Sequence, residues 1–448
     1  ETATRDHPKE YAVDGALYYA KFLKEDYNVI AVAVSGTKRE AAKVFTDLHT
    51  VFVFNFDVDT EDKGEEYSCG AKDLFGQIGS TTAEYSPDGY YFGKAGDEFV
   101  LVLKAESNVT VAMSLVDNLS AIYGADKISS ITVNGRASET CISGGSVNLV
   151  LEKGTNTVKF TLKENINLRS VNFKSEGKLN LIDPEKAHEL LLMSYNIRID
   201  ANSGYQDWDQ RKSHLALHIL TYSPDVICFQ EVKKNQHTDL VTLIGDTYEI
   251  IWYARQGGSN PEGLAVAYKK AEFTEMSRGM FWLSETPEVE SMGWDAQSYL
   301  RIAVNAIITH KESGQTINVY SVHLDSHVRE ACHKSMELVM ERASQYDYPV
   351  YIAGDFNATY LSYAHYVTDS SYHCAQYVAP STEFSNTAGY DGQWIGVPNY
   401  TKKAIDHIFV SPEHFVPLEY KPCRDKWGEK YFHSDHLEIV SRVLLLAE

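Results

Sequence analysis

Paired cysteines, long apolar runs and basic charge are what this 448-residue sequence lacks. Its six cysteines, Cys69, Cys141, Cys228, Cys332, Cys374 and Cys423, stand singly with no CxxC pair. Zinc-ribbon spacing is therefore excluded, and no disulfide framework can be read. No apolar run approaches the roughly 18 residues of a membrane-spanning helix, so no membrane span is expected. Lysine and arginine number 41 against 62 aspartates and glutamates, a formal net charge of −21. A protein that coats nucleic acid needs a basic face to displace counterions from phosphates, so that role is disfavoured while a local basic pocket is not. The chain starts at Glu1 with no Met, signal or lipid motif. The expectation is a processed mature protein, secreted, periplasmic or on the cell surface.

What is present is a globular composition, 44% hydrophobic and 23% charged, in a chain long enough for two or three domains. Residues 1–183 carry 19 basic and 27 acidic side chains and residues 184–448 carry 22 and 35, yet 14 of the 16 histidines lie after residue 183. Histidines and carboxylates are the natural ligands and proton carriers of a catalytic site, so the chemistry is sought there.

Residues 1–50 read as a helix-strand-helix segment, in which Tyr11 to Gly36 resembles an N-terminal segment of restriction-modification methylases with no Glu-x-Lys nuclease motif following it. From 51 to 183 short alternating runs take over. Phe99 to Leu103, Val109 to Leu115, Ile128 to Val133, Val147 to Leu151, Thr157 to Leu162 and Leu168 to Phe173 are predicted strands, with turns at Asn134-Gly135 and Lys153-Gly154. Regular strand spacing predicts an all-β sandwich. Its end resembles a carbohydrate-binding module, which implies a glycan partner; a sandwich that only packs on its neighbour fits the same pattern. Tyr90, Tyr91 and Phe92 are read as edge packing before a sugar platform. From 187 to 448 strands and helices alternate, with helices predicted at Gln210 to Leu220 and Arg329 to Ala343, so this is an α/β domain.

In this last part apolar strands end, or begin, in polar residues that no strand needs. Leu190 to Tyr195 runs into Asn196, Val226 to Phe229 into Gln230-Glu231, and Ile317 to Val322 into His323-Leu324-Asp325. Val350 to Ala353 leads into Gly354-Asp355-Phe356-Asn357, Asp406-His407 precede Ile408 to Val410, and Ser434-Asp435-His436 precede the last strand. If the strands are neighbours, these groups converge on one carboxylate-rich, histidine-containing pocket.

The order and spelling of these segments resemble the endonuclease/exonuclease/phosphatase superfamily over Leu190 to Leu446, and NIR, WDQR and GMFWLSETPEV resemble a bacterial secreted branch of it. The resemblance implies a four-layer α/β/β/α sandwich catalytic domain, preceded here by the all-β sandwich. It also implies a Mg²⁺ (or Mn²⁺)-dependent phosphoesterase acting by in-line attack of water. Glu231, Asn196 and Asp435 would then be the oxygen ligands of the metal. His436 would be the general base or a phosphate contact, its tautomer fixed by Asp406. Asp355 would orient or deprotonate the water, Asn357 and His323 would donate to phosphate oxygens, and Arg301 would bind substrate.

Two departures from the superfamily pattern stand out. Ser321-Val322-His323-Leu324-Asp325-Ser326 lacks the family's leading Asn and final His, and Arg198 stands where abasic-site endonucleases carry an acid. Arginine cannot bind a metal, which argues against a repair nuclease and leaves open whether a second metal is bound. The substrate expected is a small molecule or a lipid or sugar phosphate. Nucleic acid is the less favoured partner, although Lys233-Lys234, Lys269-Lys270 and Lys402-Lys403 could line a track for it. Met280 to Tyr299, with Phe281, Trp282 and Trp294, is read as a lid over a compact substrate. A reading of another class is a glycan- or surface-binding protein on a degenerate scaffold, which would need a missing catalytic residue; none is missing.

Overall fold

Alternating side chains build the first two sheets. In the strand Val109–Asp117 the odd members Val111, Met113 and Leu115 are fully buried, and in Ile166–Ser175 so are Leu168, Val171 and Phe173. The two strands pair antiparallel, Val171 opposite Leu115 and Phe173 opposite Met113, which puts both sets on one face of a nine-stranded sheet. A five-stranded sheet formed by Glu98–Ala105, Gly154–Leu162, Ile128–Val133 and two short strands faces it. Phe99, Leu101, Val158 and Phe160 join the same core. The six strands expected from the sequence in this part lie within observed strands. The computed structural model describes residues 56–59, 65–70, 84–85, 90–138, 142–143, 146–175, 177–180, 187–200, 207–296, 299–359, 368, 371–382, 404–428 and 431–446. The expected helix-strand-helix of residues 1–50 and Lys402-Lys403 lie outside them.

Phe99 to Leu103 is an unbroken apolar run because the five-stranded sheet is buried on both faces. Its second face meets the C-terminal part: Thr155 Oγ1 donates to the Pro412 carbonyl at 2.5 Å, Thr157 Oγ1 to Val378 O at 2.9 Å and Lys104 Nζ to Glu413 O at 3.1 Å. Val416, Leu418, Leu444 and Leu446 of the C-terminal part belong to the same apolar cluster as the first two sheets. At the turn Asn134-Gly135 both residues have positive φ, +50° and +72°. A Cβ on Gly135 would also lie 2.0 Å from the Tyr377 carbonyl oxygen, so glycine serves both the turn and the seam.

The C-terminal part is built on two more sheets. The seven-stranded one runs in the order Tyr248–Ala254, Glu262–Lys269, Val226–Lys233, His188–Asn196, Ile439–Leu445, Phe415–Pro422, Ser381–Thr382. The six-stranded one runs Phe273–Trp282, Ile302–His310, Thr316–His323, Val350–Asp355, Asp406–Val410, His373–Cys374. Each has one central parallel pair joined by a helical crossover. Helix α1 (Trp208–Tyr222) connects His188–Asn196 to Val226–Lys233. Between Thr316–His323 and Val350–Asp355 lies a helix at Arg329–Ala343, the bounds expected from the sequence. The sheets face each other across a core that includes Leu192, Cys228, Val304, Val319, Ala353 and Ile408. The outer face of the first sheet is covered by α1 and by α2 (Lys234–Ile244), which the sequence reading did not anticipate. The outer face of the second is covered by the Arg329–Ala343 helix, α3, through Cys332, Met336 and Val339. The fold is α/β with mostly β content, and no helix among the described residues is long and apolar enough to cross a membrane.

Candidate active site

The parallel pairs aim their carboxyl ends at one place, and the polar residues sit there. Asn196 ends one strand beside Gln230. In the other sheet His323, Asp355 and Asp406 are register neighbours across three strands. Local backbone devices turn the remaining groups inward. The register of Val226–Lys233 against Glu262–Lys269 slips between Phe229 and Val232, and at this bulge Glu231 takes a φ of +59°. Arg198 (+58°) and Asn357 (+47°) are also left-handed, a clustering of unusual backbone typical of functional sites. Arg211 of α1, fully buried, donates from Nη1 to Ile197 O (2.5 Å) and His433 O (3.0 Å) and from Nη2 to Arg198 O (2.7 Å). The WDQR segment thereby ties the Asn196 loop to the loop carrying Asp435 and His436.

His436 Nδ1 lies 2.8 Å from Asp406 Oδ2, so its Nε2 faces Asp355 Oδ2 at 3.6 Å and the Asn196 amide at 3.3 Å. Asn196 Nδ2 also donates to Glu231 Oε1 and to Asp355 Oδ2, both at 3.1 Å. His323 Nε2 is 3.5 Å from Asp355 Oδ2. Asp355 Oδ1 accepts from the Asn357 backbone N–H at 2.8 Å, whereas the Asn357 side-chain amide donates to Leu324 O at 3.0 Å. Arg198 stands between two carboxylates, 3.5 Å from Glu231 and 3.7 Å from Asp435. Of the residues singled out in the sequence, Glu231, Arg301, His323, Asp355, Asn357, Asp435 and His436 line one cavity of about 320 Å³. Asn196 and Asp406 are buried behind it.

The charges are arranged to oppose one another. Burial raises the Asp355 carboxyl and neighbouring Asp406 raises it further, more than His436 can offset. Burial pulls the His436 imidazole down, but Asp406, then Asp355 and Asp435, outweigh it and push it up. Burial also raises Glu231, yet Arg198, His436 and the Ile199 N–H hold it below its usual range. Burial, then the Arg301 charge, keep His323 well below its ordinary value and so neutral.

The cavity wall adds residues that the sequence reading missed as site residues. Arg255 and Arg301 each lie 5.1 Å from the Tyr299 ring, and Arg255 pairs with Glu262 at 2.9 Å. Arg301 is 8% exposed; among the described residues its guanidinium Nε has no hydrogen-bond partner and its charge is met only at longer range, by the Glu262, Asp355 and Asp325 carboxylates. Arg255 follows the strand Tyr248–Ala254 and Glu262 opens the next, so the rule of polar residues at strand ends would have found both. Two expectations are corrected. The described aromatics of Met280 to Tyr299 do not together form a lid. Phe281 and Trp294 pack with the core under α3 and Trp282 with the core between the sheets, and of these aromatics only Tyr299 reaches the cavity. Lys269-Lys270 do not line a track. They lie at the far end of the strand Glu262–Lys269, roughly 20 Å from the cavity end, where Lys269 pairs with Asp225 at 2.8 Å.

The carboxylates of Glu231, Asp355 and Asp435 offer oxygen donors that suit a hard divalent cation, whereas the Asn196 amide presents its Nδ2 to them and its Oδ1 to the Arg198 N–H, so its oxygen would have to turn inward to join them. A carboxylate-supported histidine, an arginine-lined cavity and a cation-ready acidic wall define the site of a phosphoric ester hydrolase. Residues 193–436, more than half of the chain, match the Endonuclease/Exonuclease/phosphatase family, and the chain belongs to it. A solved mannosyl-6-phosphatase from Bacteroides thetaiotaomicron is 27% identical with a TM-score of 0.52, covering 57% of this chain and 99% of that one. An uncharacterised protein of Acanthamoeba polyphaga mimivirus is 27% identical over 248 residues, 52% of this chain and 91% of its own length. The Ccr4 3'-5'-exoribonuclease subunit of the CCR4-Not complex from Candida albicans is 22% identical over 223 residues, 40% of this chain and 28% of that protein.

Proposed function

We propose that this chain hydrolyses a phosphate ester of a small molecule, a sugar phosphate or similar phosphomonoester being favoured, by in-line attack of water in the presence of Mg²⁺ or Mn²⁺. The observation that carries the reading is the buried Arg301 guanidinium, which makes no ion pair among the described residues and lies over the Tyr299 ring beside Arg255 in a cavity of about 320 Å³. A buried cation of this kind calls for an anion, and the volume suits a compact one. Glu231, Asn196 and Asp435 would hold the cation, which supplies charge neutralisation at the phosphate oxygens. His323, Asn357 and Arg301 bind the phosphate. Asp355, made a stronger base by burial and by Asp406, orients the attacking water and in its ionised form accepts its proton. His436, fixed by Asp406, holds a proton at Nε2 where charge develops on phosphate oxygen. We read residues 187–448 as a four-layer α/β/β/α catalytic domain and residues 51–183 as an all-β sandwich seated on it.

The similarity to a mannosyl-6-phosphatase supports this reading; the Ccr4 likeness supports a nuclease, using the same phosphate chemistry. A phosphate-release panel of sugar and nucleoside monophosphates, run with Mg²⁺ or Mn²⁺ and with chelator beside a nuclease gel, tests them. Cation-dependent release from a monoester is expected. Cleavage of RNA or DNA with no monoester turned over would overturn the substrate reading.

A further inference from the structure

A second constellation of metal-ligating side chains lies on the helix-covered face of the seven-stranded sheet, away from the phosphate cavity. Cys423 follows the strand Phe415–Pro422 and Glu438 precedes Ile439–Leu445. Pro422 is in register with Ile439, and the Cys423 N–H donates to the Glu438 carbonyl at 2.8 Å, so backbone pairing sets the two side chains opposite each other. Helix α1 lays His218 over them from the same buried stripe as Leu215 and Ile219, its imidazole in direct contact with the Glu438 carboxylate. One imidazole nitrogen, one thiol sulfur and one carboxylate oxygen thus come within 4.8 Å of one another. Donors bound to a tetrahedral ion are separated by roughly 3.3–3.8 Å, so the His218 nitrogen and Glu438 oxygen, now in direct contact, would move apart while the thiol turns toward them to admit a cation.

The three residues are 6%, 2% and 3% exposed. The His433 ring lies tilted against that of His218, the centroids 4.5 Å apart. A groove lined by His214, His433, Asp425 and Trp427 leads from solvent to His218. Beside the His218-Glu438 pair, the Cys423 thiol also meets the Tyr222 hydroxyl and the Glu438 carboxylate the Tyr195 hydroxyl, contacts with which a bound cation would compete. Mixed sulfur, nitrogen and oxygen donors are the set that zinc-class ions take, whereas the catalytic cavity offers none of the sulfur.

We propose that His218, Cys423 and Glu438 bind a borderline-soft divalent cation of the zinc class, with a fourth position open to water from the groove. The site is separate from the hard-cation site of the hydrolase. Its ligand Glu438 and its neighbour His433 bracket Asp435 and His436, so the ion braces the loop that carries them. Arg211, which holds the His433 carbonyl at 3.0 Å, acts on the same loop from the other side.

The test uses the full chain, stripped with chelator and titrated with Co²⁺. One equivalent is expected to give a thiolate-to-cobalt charge-transfer band in the near ultraviolet, bleached by Zn²⁺ and unaffected by excess Mg²⁺. Cys423→Ser should abolish the band, and competition against a fluorescent zinc chelator should show affinity lower by about 100-fold or more. The wild-type spectrum needs no variant to fold. Its lack of a thiolate band, or a band that persists in Cys423→Ser, would overturn the proposal.

Discussion

Two buried carboxylates, one in each half of the molecule, meet opposite fates. Asp117, at the end of a strand in the first two sheets, accepts from the backbone N–H groups of Leu119 (2.9 Å) and Ala121 (2.8 Å) and from the Tyr123 hydroxyl (3.0 Å). Burial raises it, but these three donors together bring it below its ordinary value. Asp355, at the end of a strand in the C-terminal sheets, has one backbone donor and the Asn196 amide, but it also faces Asp406 and Glu231, and burial with Asp406 drives it up. The N-terminal region uses its buried polar groups to close turns, whereas the C-terminal region leaves them dependent on one another and on whatever enters the cavity. Stability and function therefore reside in different carboxylates.

The largest expected effects test the functional side of that contrast. His436→Ala and Glu231→Ala should each lower kcat/KM for the preferred phosphate ester by about 10³-fold or more, with melting temperatures near wild type. Unchanged rates in both would remove the site assignment. Next is the seam. Leu444 belongs to the cluster shared by both regions, so Leu444→Ala should destabilise by roughly 2–5 kcal/mol and leave one cooperative unfolding transition. Two separated transitions by calorimetry would show that the regions fold independently.

The direct comparison of the two carboxylates comes third. Asp117→Ala should cost about 1–2 kcal/mol in denaturant titration, since it orphans turn N–H groups. Asp355→Asn should cost less than that or stabilise, while abolishing hydrolysis; the reverse ranking would break the contrast. The smallest effect, read over the single unit from pH 6 to pH 5, is a pH dependence at the seam, where His373 lies close to Arg136. Burial, then Arg136, push its imidazole down to about 4. Because the unfolded chain takes up a proton near pH 6.5 and the folded one does not, stability should fall as pH drops between those values, by about 1 kcal/mol per pH unit. His373→Gln should flatten that part of the curve in chemical denaturation at pH 6 and pH 5.

How much was legible in the sequence differs between the regions for a physical reason. Period-two alternation marks Val109–Asp117 and Ile166–Ser175 because one face is buried and the other is not. The strands Tyr248–Ala254 and Glu262–Lys269, and helix α2 between Val226–Lys233 and them, carry weaker patterns, from which the alternation of strands and helices can be expected but not their bounds. In the site, Asn196, Glu231, His323, Asp355, Asp406 and His436 were visible because each terminates or opens an apolar strand. Tyr299 has no such mark: it lies in a loop and matters only because Arg255 and Arg301 flank it.

The sequence by itself determined the family, the α/β pattern and the identity of the polar residues at strand ends, since these follow from local spelling and periodicity. Only the tertiary structure decided which of them face each other. It set Arg198 between Glu231 and Asp435, packed Phe281, Trp282 and Trp294 against the cores, and brought His218 over Cys423 and Glu438 from 205 and 220 positions away in the chain. Contacts of that kind are fixed by sheet order, register and helix placement, which no local pattern encodes.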